Sequence, residues 1–178
     1  MDESAAWIAQ AAADRAAAER KRSFAERLKA PAWCHTVAKY QQAVEKSIKA
    51  IVAALRECGV RGLHPVGYDH RVQNHLRLLR RLPGGGALPT IQRKLQDFLD
   101  AATRNSIGNL ENLAPRRPAP GDPHPRNTEY PFNAAGDWTY PAASDSFSLA
   151  EVKEFQKLMA RVSHYATNIV SALRRGPA

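Results

Sequence analysis

Residues 148–173, SLAEVKEFQKLMARVSHYATNIVSAL, place Leu149, Val152, Phe155, Leu158, Met159, Val162, Tyr165, Ile169, Val170 and Leu173 at steps of mostly three and four. Those steps return to one side of a helix and build a single apolar stripe. Ser148 and Glu151 have the spacing of a capping box, which starts the helix at position 149. The same steps recur upstream. After Pro31, which suits a first helical turn, Trp33, Val37, Tyr40, Val44, Ile48, Ile51, Val52 and Leu55 repeat until Gly59. Val72, Leu76, Leu79 and Leu82 form a shorter stripe that Pro83 ends, and Pro89 opens another with Ile91, Leu95, Phe98, Leu99 and Ala102, ending between Ala102 and Gly108. From Ser4, a candidate cap, to Lys29 the chain is Ala-rich without Gly or Pro, so helix propensity is high throughout. No run alternates with the two-residue period of a strand. The expectation is an all-α fold: a five-helix up-and-down bundle, one domain over residues 1–178.

One segment breaks the pattern. Seven of the twelve prolines fall between Pro115 and Pro141, amid Gly, Asn and Asp. Proline removes a helix donor and collides with the preceding turn, so residues 112–147 read as a long loop excursion between the fourth and fifth helices. Its aromatics Tyr130, Phe132, Trp138 and Tyr140 suit either stacking on bases or pinning the loop to the bundle.

Composition limits the function classes. With 178 residues there is material for one sizeable core. Apolar residues are 44% and charged residues 24%, as in ordinary folded domains. The acidic start Met1-Asp2-Glu3-Ser4 and the lack of a long apolar run argue against secretion and membrane insertion, so a cytoplasmic protein is expected. Cys34 and Cys58 lie 24 positions apart on one helical segment. At about 1.5 Å per residue they are about 36 Å apart, beyond disulfide reach. No Cys pair has ligand spacing and no His-Glu-x-x-His run occurs, so no metal or cofactor is expected. Gly84-Gly85-Gly86 lacks the Lys-Ser/Thr of a phosphate loop and reads as a turn.

The net charge of +9 calls for an anionic partner, and nucleic acid leads. The charge is concentrated. Residues 61–94 hold Arg61, Arg71, Arg77, Arg80, Arg81, Arg93 and Lys94 against the single acid Asp69. Arg71 and His75, four apart, share a face at the start of the third helix. Arg71, His75, Arg77, Arg80, Arg81, Arg93 and Lys94 are therefore the candidate RNA-binding residues, where phosphates would release counterions. The alternative is a solvated basic face paired with acids elsewhere.

In the second helix, Trp33-Cys34-His35 followed by Tyr40-Gln41-Gln42-Ala43-Val44-Glu45-Lys46-Ser47-Ile48-Lys49-Ala50 resembles the signature of HEPN domains. His70 ahead of Leu76 and Leu79, Tyr130-Pro131 in the loop, and the amphipathic last helix agree in order, so the resemblance covers nearly the whole chain. It implies a helical bundle, commonly a homodimer, found in bacterial toxin–antitoxin and phage-defence systems, often with a nucleotidyltransferase or antitoxin partner. Many such proteins are metal-independent ribonucleases with Arg, four to six residues, then His. Here that spacing occurs in Arg117 and His124, with Arg126 as a further candidate. The His suits proton transfer at the 2′-hydroxyl and the Arg suits stabilising phosphate charge. Where the Tyr-Pro subgroup has Arg directly before Tyr, this chain has Glu129.

Three functional readings follow: an RNA-directed endoribonuclease, a catalytically inactive module binding RNA, nucleotide or a partner protein, and a structural helical adaptor. Glu45, Lys46 and Lys49 serve either to contact ligand or to brace the bundle.

Overall fold

The computed structural model describes residues 2–27, 33–63, 65–66, 72–82, 89–113, 132–134, 137–139 and 147–175. Arg71, Arg117, His124 and Arg126, like Pro31, His70, the triple glycine and Tyr130-Pro131, lie outside the described residues.

Among the described residues the chain forms six helices: α1 (Glu3–Ala25), α2 (Cys34–Glu57), α3 (Val72–Arg80), α4 (Pro89–Phe98), α5 (Ala101–Glu111) and α6 (Leu149–Arg174). The fold is all-helical, with one minimal antiparallel ribbon, β1 (Phe132–Ala134) with β2 (Asp137–Thr139), in the proline-rich excursion. The expected count of five helices is corrected to six. The apolar stripe from Ile91 to Ala102 runs on, but Asp100 leaves helical geometry (φ −56°, ψ 161°) and its carboxylate accepts the Thr103 N–H at 2.6 Å. A side-chain cap thus starts a new helix where the hydrophobic period gives no sign of a break.

α2 is the central element. Sixteen of its 24 residues are buried, and Ala50 to Leu55 are buried without interruption, so neighbours cover it on more than one side. α1 and α6 supply that cover. α6 buries Val152, Leu158, Met159, Val162, Ile169, Val170 and Leu173 from the expected stripe, while Leu149 stays exposed beside the Ser148–Glu151 capping box. Ser47 Oγ meets Ser163 Oγ at 3.2 Å, and the Cys58 thiol donates to the Leu173 carbonyl at 3.6 Å. Residue numbers rise together along the two helices, so α2 and α6 run parallel. A strict five-helix up-and-down order would have made them antiparallel. The long connection between α5 and α6 lets the chain return to either end of the bundle.

α1 presents a thin stripe to α2: Ala11, Ala18 and Ala25 are buried with Ser4 and Asp14. Small residues permit close approach but contribute little apolar area, and polar contacts fix the register. The Asp14 carboxylate, 4% exposed, receives Lys46 Nζ at 2.5 Å and Lys39 Nζ at 3.2 Å. Burial pushes this carboxyl up, yet the hydrogen bond and charge of Lys46, then those of Lys39, outweigh it and hold it below the usual carboxylate range. Lys49, 1% exposed, pairs with Glu45 at 2.7 Å and sits 4.9 Å from the Trp7 ring centroid, a cation–π contact. Lys46 and Lys49 therefore brace α1 against α2. At the helix ends, Ser4 N and Oγ donate to Glu57 at 2.9 and 2.6 Å, Arg56 pairs with Glu3, and Arg174 pairs with Asp2. Asp2, rather than Ser4, caps α1 by accepting the Ala5 N–H. Cys34 and Cys58 stand at opposite ends of α2 as reduced thiols, not joined in a disulfide. No helix among the described residues is long and apolar enough to cross a membrane.

Candidate nucleic-acid interface

The expected basic segment divides between two elements. α3 packs on α2 and α5, whereas α4 packs on α6. Exposed Arg93 and half-buried Lys94 therefore belong to a helix with a different neighbour from the one bearing Arg77, Arg80 and Arg81.

On α3 the inward stripe is Val72, His75, Leu76 and Leu79. His75, expected on the basic face with Arg71, is corrected to a core position with 6% exposure. Its spacing of three from Val72, and of four to Leu79, places it on the apolar stripe. The next face, Gln73, Leu76, Arg77 and Arg80 at i, i+3, i+4 and i+7, forms one wall of a groove of about 300 Å³. α5 forms the other wall with Arg104, Asn105, Gly108, Asn109 and Asn112. Arg81 is exposed but does not line the groove, because one further residue turns it about 100° around the helix.

Several contacts set the spacing of the two walls. Glu111 Oε2 accepts the Gln73 N–H at 3.2 Å, placing a carboxylate at the positive end of α3. Gln41 of α2 donates to the Leu110 carbonyl at 2.6 Å and holds the C-terminal turn of α5. Arg161 of α6 reaches Asp100 at the other end, at 3.2 Å. The Asp100 carboxyl lies below the usual range, chiefly because it accepts the Thr103 N–H. A β-carbon at Gly108 would come within 3.0 Å of Gln73 Nε2, so the missing side chain lets the walls approach there.

Among the described residues the lining contains three arginines and no acid. Arg77 is steadied by donating to Asn74 Oδ1 at 2.8 Å. Arg80, Asn105, Asn109 and Asn112 make no side-chain hydrogen bond to a described residue, so their donors and acceptors face water. Such a surface can neutralise anionic oxygens with guanidinium forks and match a planar polar edge with amides.

Sequence reasoning reached Arg77 and Arg80 and missed Arg104, Asn105, Asn109 and Asn112. A signal was present. Asparagine is a poor helix former, because its side chain competes for backbone groups. Asn105 and Asn109, four apart on the exposed face of this short helix, work against the helix that carries them, and Asn112 follows as its C-cap. No protein-family model, no curated protein and no solved structure matches the chain.

Proposed function

We propose that this chain is an RNA-directed protein of the HEPN type, acting in a toxin–antitoxin or phage-defence setting, and that the α3/α5 groove is where it engages the RNA strand. The observation that carries this reading is the groove with Arg77, Arg80 and Arg104 on its two walls and no acid among its described lining residues. Phosphate neutralisation there supplies affinity independent of sequence. The groove is at the small end of the range for ligand clefts, about 300–1,000 Å³, which suits a single strand.

Cleavage would fall to the segment after α5. Arg117 follows Asn112 by five positions, and an extended chain of about 3.6 Å per residue keeps it within about 18 Å of the groove. In this reading His124 takes the proton of a 2′-hydroxyl as that oxygen attacks phosphorus. The P–O5′ bond breaks, O5′ takes up a proton from the imidazolium or from water, and a 2′,3′-cyclic phosphate and a 5′-hydroxyl result. Arg117 or Arg126 offsets the charge gained by the phosphoryl oxygens. The reaction needs no metal. A homodimer, and a nucleotidyltransferase or antitoxin as partner, belong to the same proposal.

A second reading, binding without cleavage, is favoured by one feature: the described residues of the groove lining include neither histidine nor carboxylate. One experiment separates the two. The purified protein, His124→Ala and Arg80→Glu are incubated with bulk RNA in excess chelator. Fragments from the parent alone support the ribonuclease. RNA retained intact by the parent and His124→Ala, and released by Arg80→Glu, supports the binding module. No retention and no cleavage by any of the three refutes both and leaves a structural adaptor.

A further inference from the structure

We infer that the α3/α5 groove reads the base as well as the backbone, and that the unit it takes is an adenosine phosphate. This rests on the reading of the groove as the RNA interface and adds its specificity. Arginines alone would suffice for holding a phosphate backbone. The outer wall instead carries Asn105 and Asn109 one helical turn apart, with Asn112 at the next turn, and Gln73 faces them from α3. An amide presents one donor and one acceptor side by side, which on the Hoogsteen edge matches adenine N7 and N6, whereas guanine presents two acceptors there and uracil a single acceptor beside an apolar C5–H.

The division of labour follows from the layout. Arg77 and Arg80 form the cationic edge of one wall, Arg104 stands on the facing wall, and the amides occupy the outer side of α5 between Arg104 and its C-terminal end. Asn105, Asn109 and Asn112 have no described hydrogen-bond partner to give up, so a base edge replaces water alone. No acid among the described residues lines the groove, and the Glu111 carboxylate beside it is buried and engaged by the Gln73 N–H.

The test is a competition between labelled hexamers of A and U on the whole chain, with the Asn105→Ala, Asn109→Ala, Asn109→Gln and Arg80→Ala variants. The expected result is A bound about tenfold tighter than U, the effect of one good bidentate amide contact. Alanine at the one of Asn105 and Asn109 that makes this contact should abolish that ratio, and Asn109→Gln should keep more of it than Asn109→Ala. Arg80→Ala should weaken both hexamers alike and keep the ratio. Unfolding curves of the exposed-site variants should overlay the parent's, and the glutamine variant controls for any local loss of helix. Free AMP distinguishes the source of the unit: competition by AMP with the same asparagine dependence assigns a free nucleotide, and competition by the A hexamer alone assigns the strand, either supporting the inference. Equal affinity for A and U overturns base reading while leaving RNA binding in place, as does an A preference that survives both alanines. No binding of either hexamer refutes the RNA interface itself.

Discussion

Replacing Arg80 with alanine isolates the electrostatic role of the groove, because its guanidinium has no described partner whose release would complicate the result. Three arginines line the groove and can neutralise up to three phosphates. For a single strand, log K falls with log salt at about −0.7 per phosphate, giving a slope of about −2. Between about 50 and 200 mM salt the parent should lose about 18-fold in affinity. Without Arg80 the slope should flatten to about −1.4, and the loss over the same range should shrink to about sevenfold. Arg81, adjacent in sequence and exposed but outside the groove, is the internal control, and Arg81→Ala should leave the slope close to the parent's. Fluorescence anisotropy with a short labelled RNA across that salt range measures all three slopes. An unchanged slope in Arg80→Ala, or equal flattening by Arg81→Ala, would refute the assignment of phosphate contacts to this groove.

Four further predictions concern the scaffold that holds the groove. Asp14→Ala should cost about 2 kcal/mol in urea unfolding, less than the roughly 3–5 kcal/mol of a fully buried pair, because Lys39 and Lys46 remain 30% and 19% exposed. Since the folded Asp14 carboxyl lies below its ordinary value, its contribution is fully present above that value and is lost as pH falls through the depressed one, so the parent should lose more stability there than Asp14→Asn. Ser148→Ala removes the hydroxyl that caps α6 and should lower stability by about 1 kcal/mol, read as a shift in the urea midpoint at constant slope. Gly108→Ala should raise stability by up to about 1 kcal/mol, because the added carbon meets only the movable end of Gln73; a drop in thermal midpoint would show that the two walls cannot yield.

The elements legible in the sequence are those governed by local period and local caps. The stripe of α6 and its Ser148–Glu151 capping box, the periodicity of α2, and the helical character of the Ala-rich α1 all depend on residues within a few positions of one another. The basic residues Arg77 and Arg80 were legible as charge. The break at Asp100 was not, because the apolar spacing continues through it and only a side-chain hydrogen bond to Thr103 marks it.

What the sequence by itself determined is an all-helical, basic chain with a proline-rich interruption, since helix periodicity, proline geometry and net charge are properties of neighbouring residues or of simple sums. The tertiary structure alone decided that α2 lies between α1 and α6, that His75 belongs to the core, and that the arginines of α3 face the asparagines of α5 across a groove. Gln73 and Glu111 are 38 positions apart, and their hydrogen bond helps align those two walls. A contact between such distant residues depends on how the helices pack around α2, and no local pattern of either helix records it.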